Sequence, residues 1–518
     1  MQKPPDNHAT HIHRNTLWVA AANLLSRGSG LLREIAFAAA FGAGVAADAF
    51  NAAFRVGNLF RELFAEGALA SAFVPLFADV DEKEGASSAW ALANAFLGLL
   101  LAAVGLVCLL TLLFARPLVI GLAGGFATDP EKLGMAVSLT RVLSPFLATV
   151  SVASVFMGML NVRGRFFLPS AAPICFNLFV IVACVFDEQI MQFTGAAPIY
   201  AVAVAALLGG ASQALVQLPV LRTHGFHFRP RLSGHPSLVR LLKFLGPALV
   251  AISVVQINLL IETQLASREG HGPVSWLIYS FRVAHLPLSL VSVAVGVASL
   301  AGLSVLRAQG RLDEFKRALG QAINLNTFLL APAAVGLFIL AEPIIRLLFE
   351  RGAFSPSDTL ATASMLRMYA IALLGIGAHR VLIPVFYTLD DPKTPMWVGL
   401  GTVALKLPVA LYCMRNLGFG VDGLPLSHAI LVSCEIGVLL YFLERRVGGL
   451  ANQLAATTGR TAISCAALAA AIWPLRLWAV GWRLVPVMAL AGFVYALSAF
   501  FLGSPELRQL LGRRPPPQ

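Results

Sequence analysis

Charge is what this chain has least of. Asp, Glu, Lys and Arg together make up 12% of its 518 residues, while 58% are hydrophobic. A soluble domain of that length needs a far larger charged surface, so the soluble class is excluded. Cysteine is also scarce. The six, Cys108, Cys175, Cys184, Cys413, Cys434 and Cys465, are scattered in or near apolar segments without a CxxC pair. That shows no disulfide framework and leaves them as small apolar core residues. Enzyme signatures are missing too: there is no HExxH, no P-loop and no GxSxG. The acidic pairs Asp81-Glu82 and Asp390-Asp391 sit in short loops with no histidine beside them. No metal or organic cofactor is expected; coupling to the membrane potential or to a monovalent cation is left open.

What the chain has instead is long apolar runs. A spanning helix needs about 20 apolar residues, and hydropathy divides the chain into about fourteen such segments. They cover 16–42, 47–78, 88–114, 133–160, 167–186, 197–221, 238–266, 274–306, 322–349, 360–388, 396–414, 424–444, 460–478 and 484–503. The expectation is an all-α polytopic membrane protein. The first segment follows a polar tail with His11, His13 and Arg14 and has no small-residue cleavage site, so it is read as retained.

The net charge of +12 points to topology rather than to nucleic acid. With the N-terminus in the cytoplasm, the cytoplasmic loops collect Arg163 and Arg165, Arg222 to Lys243, Arg307 to Arg317, Lys393, and Arg445 to Arg460. The opposite loops are poorer in basic residues, which is the positive-inside bias. An even number of spans places both termini in the cytoplasm.

The chain also repeats. Arg141 and Arg367 are offset by 226 positions, and so are Pro169 and Pro395; Asp129 is paired with Asp358. In each copy an apolar segment runs into a short polar turn and a proline. A period near 226 splits the first twelve spans into two sets of six, a common plan of secondary transporters. The expected organisation is an N-terminal lobe over 1–221, a basic linker over 222–237, a C-terminal lobe over 238–445, and two further spans with a basic tail over 446–518.

Four arginines stand well inside apolar segments: Arg27, Arg33, Arg61 and Arg282. Each would cost about 2.5–3.5 kcal/mol facing lipid, so together they are expected to line a polar interior. A cationic cavity in a membrane implies an anionic ligand, and arginine suits phosphate because it stays charged and forks onto oxygens. Supporting positions are Asp48, at the start of the second span where a carboxylate favours a helix N-terminus, with Arg55, Glu66, Glu262 and His285. Two readings are open for the charged set. One is an internal ion-pair network, with Arg61 held by Glu62 or Glu66 and Glu262 held by an arginine. The other is a free cationic surface, with His285 a ligand or proton carrier and Glu262 a cation site.

A resemblance narrows this. The stretch from Ser26 to Phe77 carries Arg27, Arg33, Gly42-Ala43-Gly44, Ala47-Asp48-Ala49-Phe50, Arg61, Leu63-Phe64-Ala65-Glu66-Gly67 and Phe73-Val74-Pro75. Further matches run from Ser275-Trp276 to Arg282 and from Leu348-Phe349 through Asp358 to Lys393-Thr394-Pro395. Together they resemble the MurJ/MviN family, the bacterial lipid II flippases of the MOP exporter superfamily. The resemblance implies a fourteen-span V-shaped transporter with two pseudo-symmetric six-helix lobes and two C-terminal helices in the bacterial inner membrane. It implies export of the lipid-linked peptidoglycan precursor, with the diphosphate on Arg27, Arg33, Arg61 and Arg282, and functional importance for Asp48 and Glu66. Membrane lipids and the cell-wall synthesis or division machinery are the other implied partners. Glu62, Glu262 and His285 depart from the family pattern. A flippase for another polyprenyl-diphosphate glycan and a membrane enzyme acting on polyprenyl diphosphates are the alternatives.

Overall fold

The computed structural model describes residues 7–62, 68–232 and 236–510, and among these there is no strand. Two compact units emerge: Met1–Val274 with Arg351–Phe354, and Ser275–Glu350 with Ser355–Gln518. The first contains α1 (Asn7–Phe41), α2 (Val45–Arg61), α3 (Ala68–Glu84), α4 (Ala86–Leu113), α5 (Ala115–Leu122), α6 (Pro130–Leu143), α7 (Phe146–Val162), α8 (Phe167–Val185), α9 (Asp187–Thr194), α10 (Pro198–Thr223) and α11 (Pro236–Ala266). The second is built from α12 (Pro273–Ala308), α13 (Leu312–Ile339), α14 (Ala341–Phe349), α15 (Pro356–Thr388), α16 (Lys393–Leu411), α17 (Gly423–Val447), α18 (Leu450–Ile472), α19 (Leu484–Phe501) and α20 (Pro505–Leu510).

Eleven of the described helical segments are long and apolar enough to cross a membrane. Their outward faces fit that role: on α4, Leu106, Leu109 and Leu113 are all more than half exposed, a surface suited to acyl chains and not to water. The first, second and seventh expected spans are helical too, as α1, α2 with α3, and α11, but are not among the eleven. They hold much of the buried charge.

Proline sets two helix ends that averaged hydropathy does not register. Pro145 has no N–H to give to Arg141 O, so α6 stops at Leu143 and Ser144 N reaches back to Arg141 O instead (3.3 Å). Pro343 likewise cannot donate to Ile339 O. The expected span 322–349 therefore ends as α13 at Ile339, and the amphipathic α14 follows as a separate short helix.

The 226-residue repeat is visible in backbone geometry. Asp129 caps α6 by accepting from the N–H groups of Glu131 and Lys132 (both 3.1 Å), with Pro130 first in the helix. Ser355 caps α15 in a capping box with Asp358, with Pro356 first. The equivalent pair is thus Asp129 and Ser355, not Asp129 and Asp358. In the turn after each copy a left-handed residue recurs at the same offset: Gly164 (φ +71) and Asp390 (φ +58). Asp390 is the one non-glycine residue with positive φ among those described, and aspartate tolerates that region better than most.

The first unit is cored by aromatic rings: Phe73 on Phe96 (4.8 Å), Phe77 on Trp90 (5.4 Å) and Trp90 on Phe226 (5.4 Å). Phe226 belongs to the basic linker, whose start is pinned to α4: Arg229 N donates to Asn94 Oδ1 (2.7 Å) and Arg231 N to Asn94 O (3.1 Å). Gly209 lets α10 approach α8, since a Cβ there would stand 2.9 Å from Phe176 Cα. Within the same unit Ala353 N donates to Ala39 O (2.7 Å), and a Cβ on Gly352 (φ +58) would meet that oxygen at 2.2 Å. The second unit packs Phe315, Leu319, Val385, Phe386 and Leu439 into its core between α13, α15 and α17.

Candidate functional site

The first unit carries Arg27, Arg33, Arg61, Asp48, Arg55 and Glu262; the second carries Arg282 and His285. Glu66 lies outside the described residues.

Arg33 is the best-defined of the arginines. Its guanidinium is 13% exposed and binds the carboxylate of its neighbour Glu34 through Nε (3.2 Å) and Nη2. Nη1 donates to Asn177 Oδ1 on α8 (3.1 Å), and the group lies over the Phe176 ring (5.2 Å). Asn177 in turn donates to Ser29 Oγ (2.8 Å) and to Ser26 O (3.3 Å) on α1. One amide therefore fixes both the register of α8 on α1 and the direction of the arginine. These contacts fix the direction of a rigid guanidinium fork with five donors. Arg27, two turns earlier on α1, is exposed and makes no ion pair or hydrogen bond among the described residues.

Asp48 is fully buried at the first turn of α2. Its Oδ2 accepts from Lys132 Nζ on α6 (2.8 Å) and from Gly272 N (2.8 Å). Lys132 Nζ also donates to Gly270 O (3.1 Å) and lies 4.4 Å from the Phe126 ring. A buried ion pair keeps its place only when its remaining donors and acceptors are also met, and here backbone groups of 270–272 meet them. Asp48 thus ties α2 to α6 and to the connection before α12.

The rest of the charged set is also engaged. Arg55, Arg61, Glu262, Arg282 and His285 each have a noncovalent partner. Glu62 accepts from Gln256 of α11. Glu262 is buried. His285 Nδ1 donates to Phe281 O (2.9 Å). Among the described residues no three His, Cys, Asp or Glu side chains cluster as a metal site would.

Sequence reasoning missed Glu34, Lys132 and Asn177 as partners. It also missed Lys406, a fully buried lysine on α16 that donates to Ser427 Oγ on α17 (3.2 Å). Asn177 and Lys406 are lone polar residues in apolar helices, and that was the available signal for them. What it could not supply is the partner: Asn177 is 144 positions from Arg33 and Lys132 is 84 from Asp48.

Many apolar helices around buried polar groups define a polytopic membrane protein, and its fold is one shared by solved membrane transporters. A solved structure described as lipid II flippase MurJ in an inward closed conformation superposes with TM-score 0.78 at 21% identity, over 96% of this chain and 100% of that one. An inward-facing multidrug resistance MATE transporter of the MOP superfamily follows at TM-score 0.69 and 14% identity, over 84% and 99%. The chain belongs to the lipid II flippase MurJ family, whose model matches residues 37–490. It is similar to the lipid II flippase MurJ of Burkholderia cenocepacia, 36% identical over 445 residues and 85% of each chain. It is also similar to the probable lipid II flippase MurJ of Rhizobium meliloti, 35% identical over 481 residues, covering 91% of this chain and 88% of that one.

Proposed function

We propose that this chain carries lipid II, the lipid-linked peptidoglycan precursor, from the inner to the outer leaflet of the bacterial cytoplasmic membrane. The family match across 37–490 carries that reading. The arginines of these helices support it chemically, because the part of lipid II that cannot cross hydrocarbon unaided is its diphosphate and sugar headgroup. Arg27, Arg33, Arg61 and Arg282 are the proposed diphosphate ligands. Asp48, with Lys132, holds α2 in place, and Arg55, Glu66, Glu262 and His285 are proposed supporting positions.

The proposed mechanism is alternating access with both termini cytoplasmic. The headgroup enters the cationic site from the inner leaflet while the polyprenyl tail stays in the bilayer, and a conformational change then exposes it outside. Moving one charge across the membrane potential is worth about 2.3 kcal/mol per 100 mV. An inside-negative potential therefore pushes the anionic headgroup outward and draws an empty cationic site back. No step breaks a covalent bond. Neutralising Arg33 or Arg282 (R33A, R282A) in a flippase-deficient strain is expected to abolish complementation with membrane insertion unchanged. Normal growth on either variant as the sole copy would remove these arginines from the mechanism.

A further inference from the structure

The second unit holds a cavity of about 440 Å³ between the end of α13, α14, α15 and the connection from α18 to α19. Its walls include Arg346, Arg367 and Arg476 against one carboxylate, Glu342. Arg346 is occupied, donating to Glu342 (3.0 Å) and to Glu350 (3.2 Å). Arg367 and Arg476 are not: neither donates a hydrogen bond to another protein group among the described residues. Arg367 has only the field of Asp422, which is bound by the Ser364 hydroxyl. The Arg476 guanidinium stands over the Trp473 ring, 3.8 Å from its centroid. Stacking on an indole uses the face of a guanidinium and leaves its in-plane donors available.

The surroundings say what kind of molecule those donors meet. Beside the arginines stand Leu477, 83% exposed, and Trp473, 52% exposed. Trp478 and Trp482 follow in the same connection, with Arg483 over Trp478 at 5.2 Å. Tryptophans and arginines at the end of two membrane helices mark the headgroup depth of a bilayer. By the loop-charge topology this is the outer side, where the positive-inside bias predicts few basic residues. Convergence of three arginines there is therefore not a by-product of topology.

We propose that this pocket binds the phosphate of an anionic phospholipid headgroup, with Arg367 and Arg476 as its donors and its acyl chains against Leu477 and Val480. A neighbouring lipid would then brace the α18–α19 connection against α14 and α15.

The test uses the full chain in nanodiscs of phosphatidylcholine, with or without phosphatidylglycerol. Phenylglyoxal labelling of Arg476 is followed by peptide mass spectrometry. Phosphatidylglycerol is expected to slow labelling of Arg476 about tenfold, the effect of one charge-assisted contact. R367Q is expected to remove that protection at Arg476, and R367K to restore part of it. Should R367Q not fold, W473L, which removes the stacking partner, is expected to lose the protection in its place. Equal labelling in both kinds of disc overturns the proposal, as does protection that persists in R367Q. Inorganic phosphate protecting Arg476 as well as phosphatidylglycerol does would assign the site to a free anion and overturn the lipid.

Discussion

Arg33 shows how a membrane protein accommodates a charge within an apolar segment. Glu34 offsets its cost of burial and Asn177 aims it, so the group is neither free nor fully consumed. Truncating Asn177 to Ala removes a hydrogen bond to a charged group, which is worth about 1.5–3 kcal/mol. N177A is expected to lower the thermal unfolding midpoint in detergent and to reduce lipid II export beyond what its lower abundance explains. Export at the wild-type rate per inserted molecule would mean that Asn177 does not position Arg33. The Asp48–Lys132 pair gives a second test. Removing one partner of a buried ion pair costs about 3–5 kcal/mol, and removing both costs less. D48N and K132M should each destabilise strongly, and the double variant less than the sum, as read by thermal unfolding. Strict additivity would contradict the pair. The sequence showed all these polar residues, and their isolation in apolar runs marked them. It did not show which of them meet, because the fold brings together residues scores of positions apart.

At the scale of elements, the repeat was legible where the backbone has few choices. A proline that starts a helix, a cap before it and a left-handed residue in the turn are each set by local sterics, so both copies keep them. Helix ends inside apolar runs were not legible, because Pro145 and Pro343 are apolar by composition and act only by the N–H they lack. The turn between α15 and α16 makes a pH prediction. The Thr394 hydroxyl and backbone N–H, with the Arg446 guanidinium at 2.8 Å, hold the Asp391 carboxyl below the ordinary carboxylate range. The unfolded chain therefore binds that proton more tightly than the folded one. The stabilisation is complete above the usual aspartate pKa and is lost as pH falls through the lower, folded value. The stability of the wild type against unfolding should fall on the acid side more steeply than that of D391N, with the curves parallel at neutral pH. Identical acid limbs would show that the turn does not depend on the ionised carboxylate.

For the whole molecule, the account joins three things: an all-helical fold shared with solved transporters, membership in the lipid II flippase MurJ family, and an arginine, Arg33, held by a carboxylate and an amide partner. Fold class and family were readable from composition and from the motif between Ser26 and Phe77, since each rests on many residues at once. Fourteen spans were read from the sequence; among the described residues eleven helices are long and apolar enough to cross a membrane, and α1, α2 and α11 are helical beside them. The central claim is that this chain moves lipid II outward. The measurement that tests it most directly is the fraction of lipid II accessible on the outer face of cells in which this protein is the sole flippase and is then depleted. The account predicts that the accessible fraction falls while total lipid II rises, and that R33A fails to restore it. Unchanged accessibility after depletion would contradict the claim.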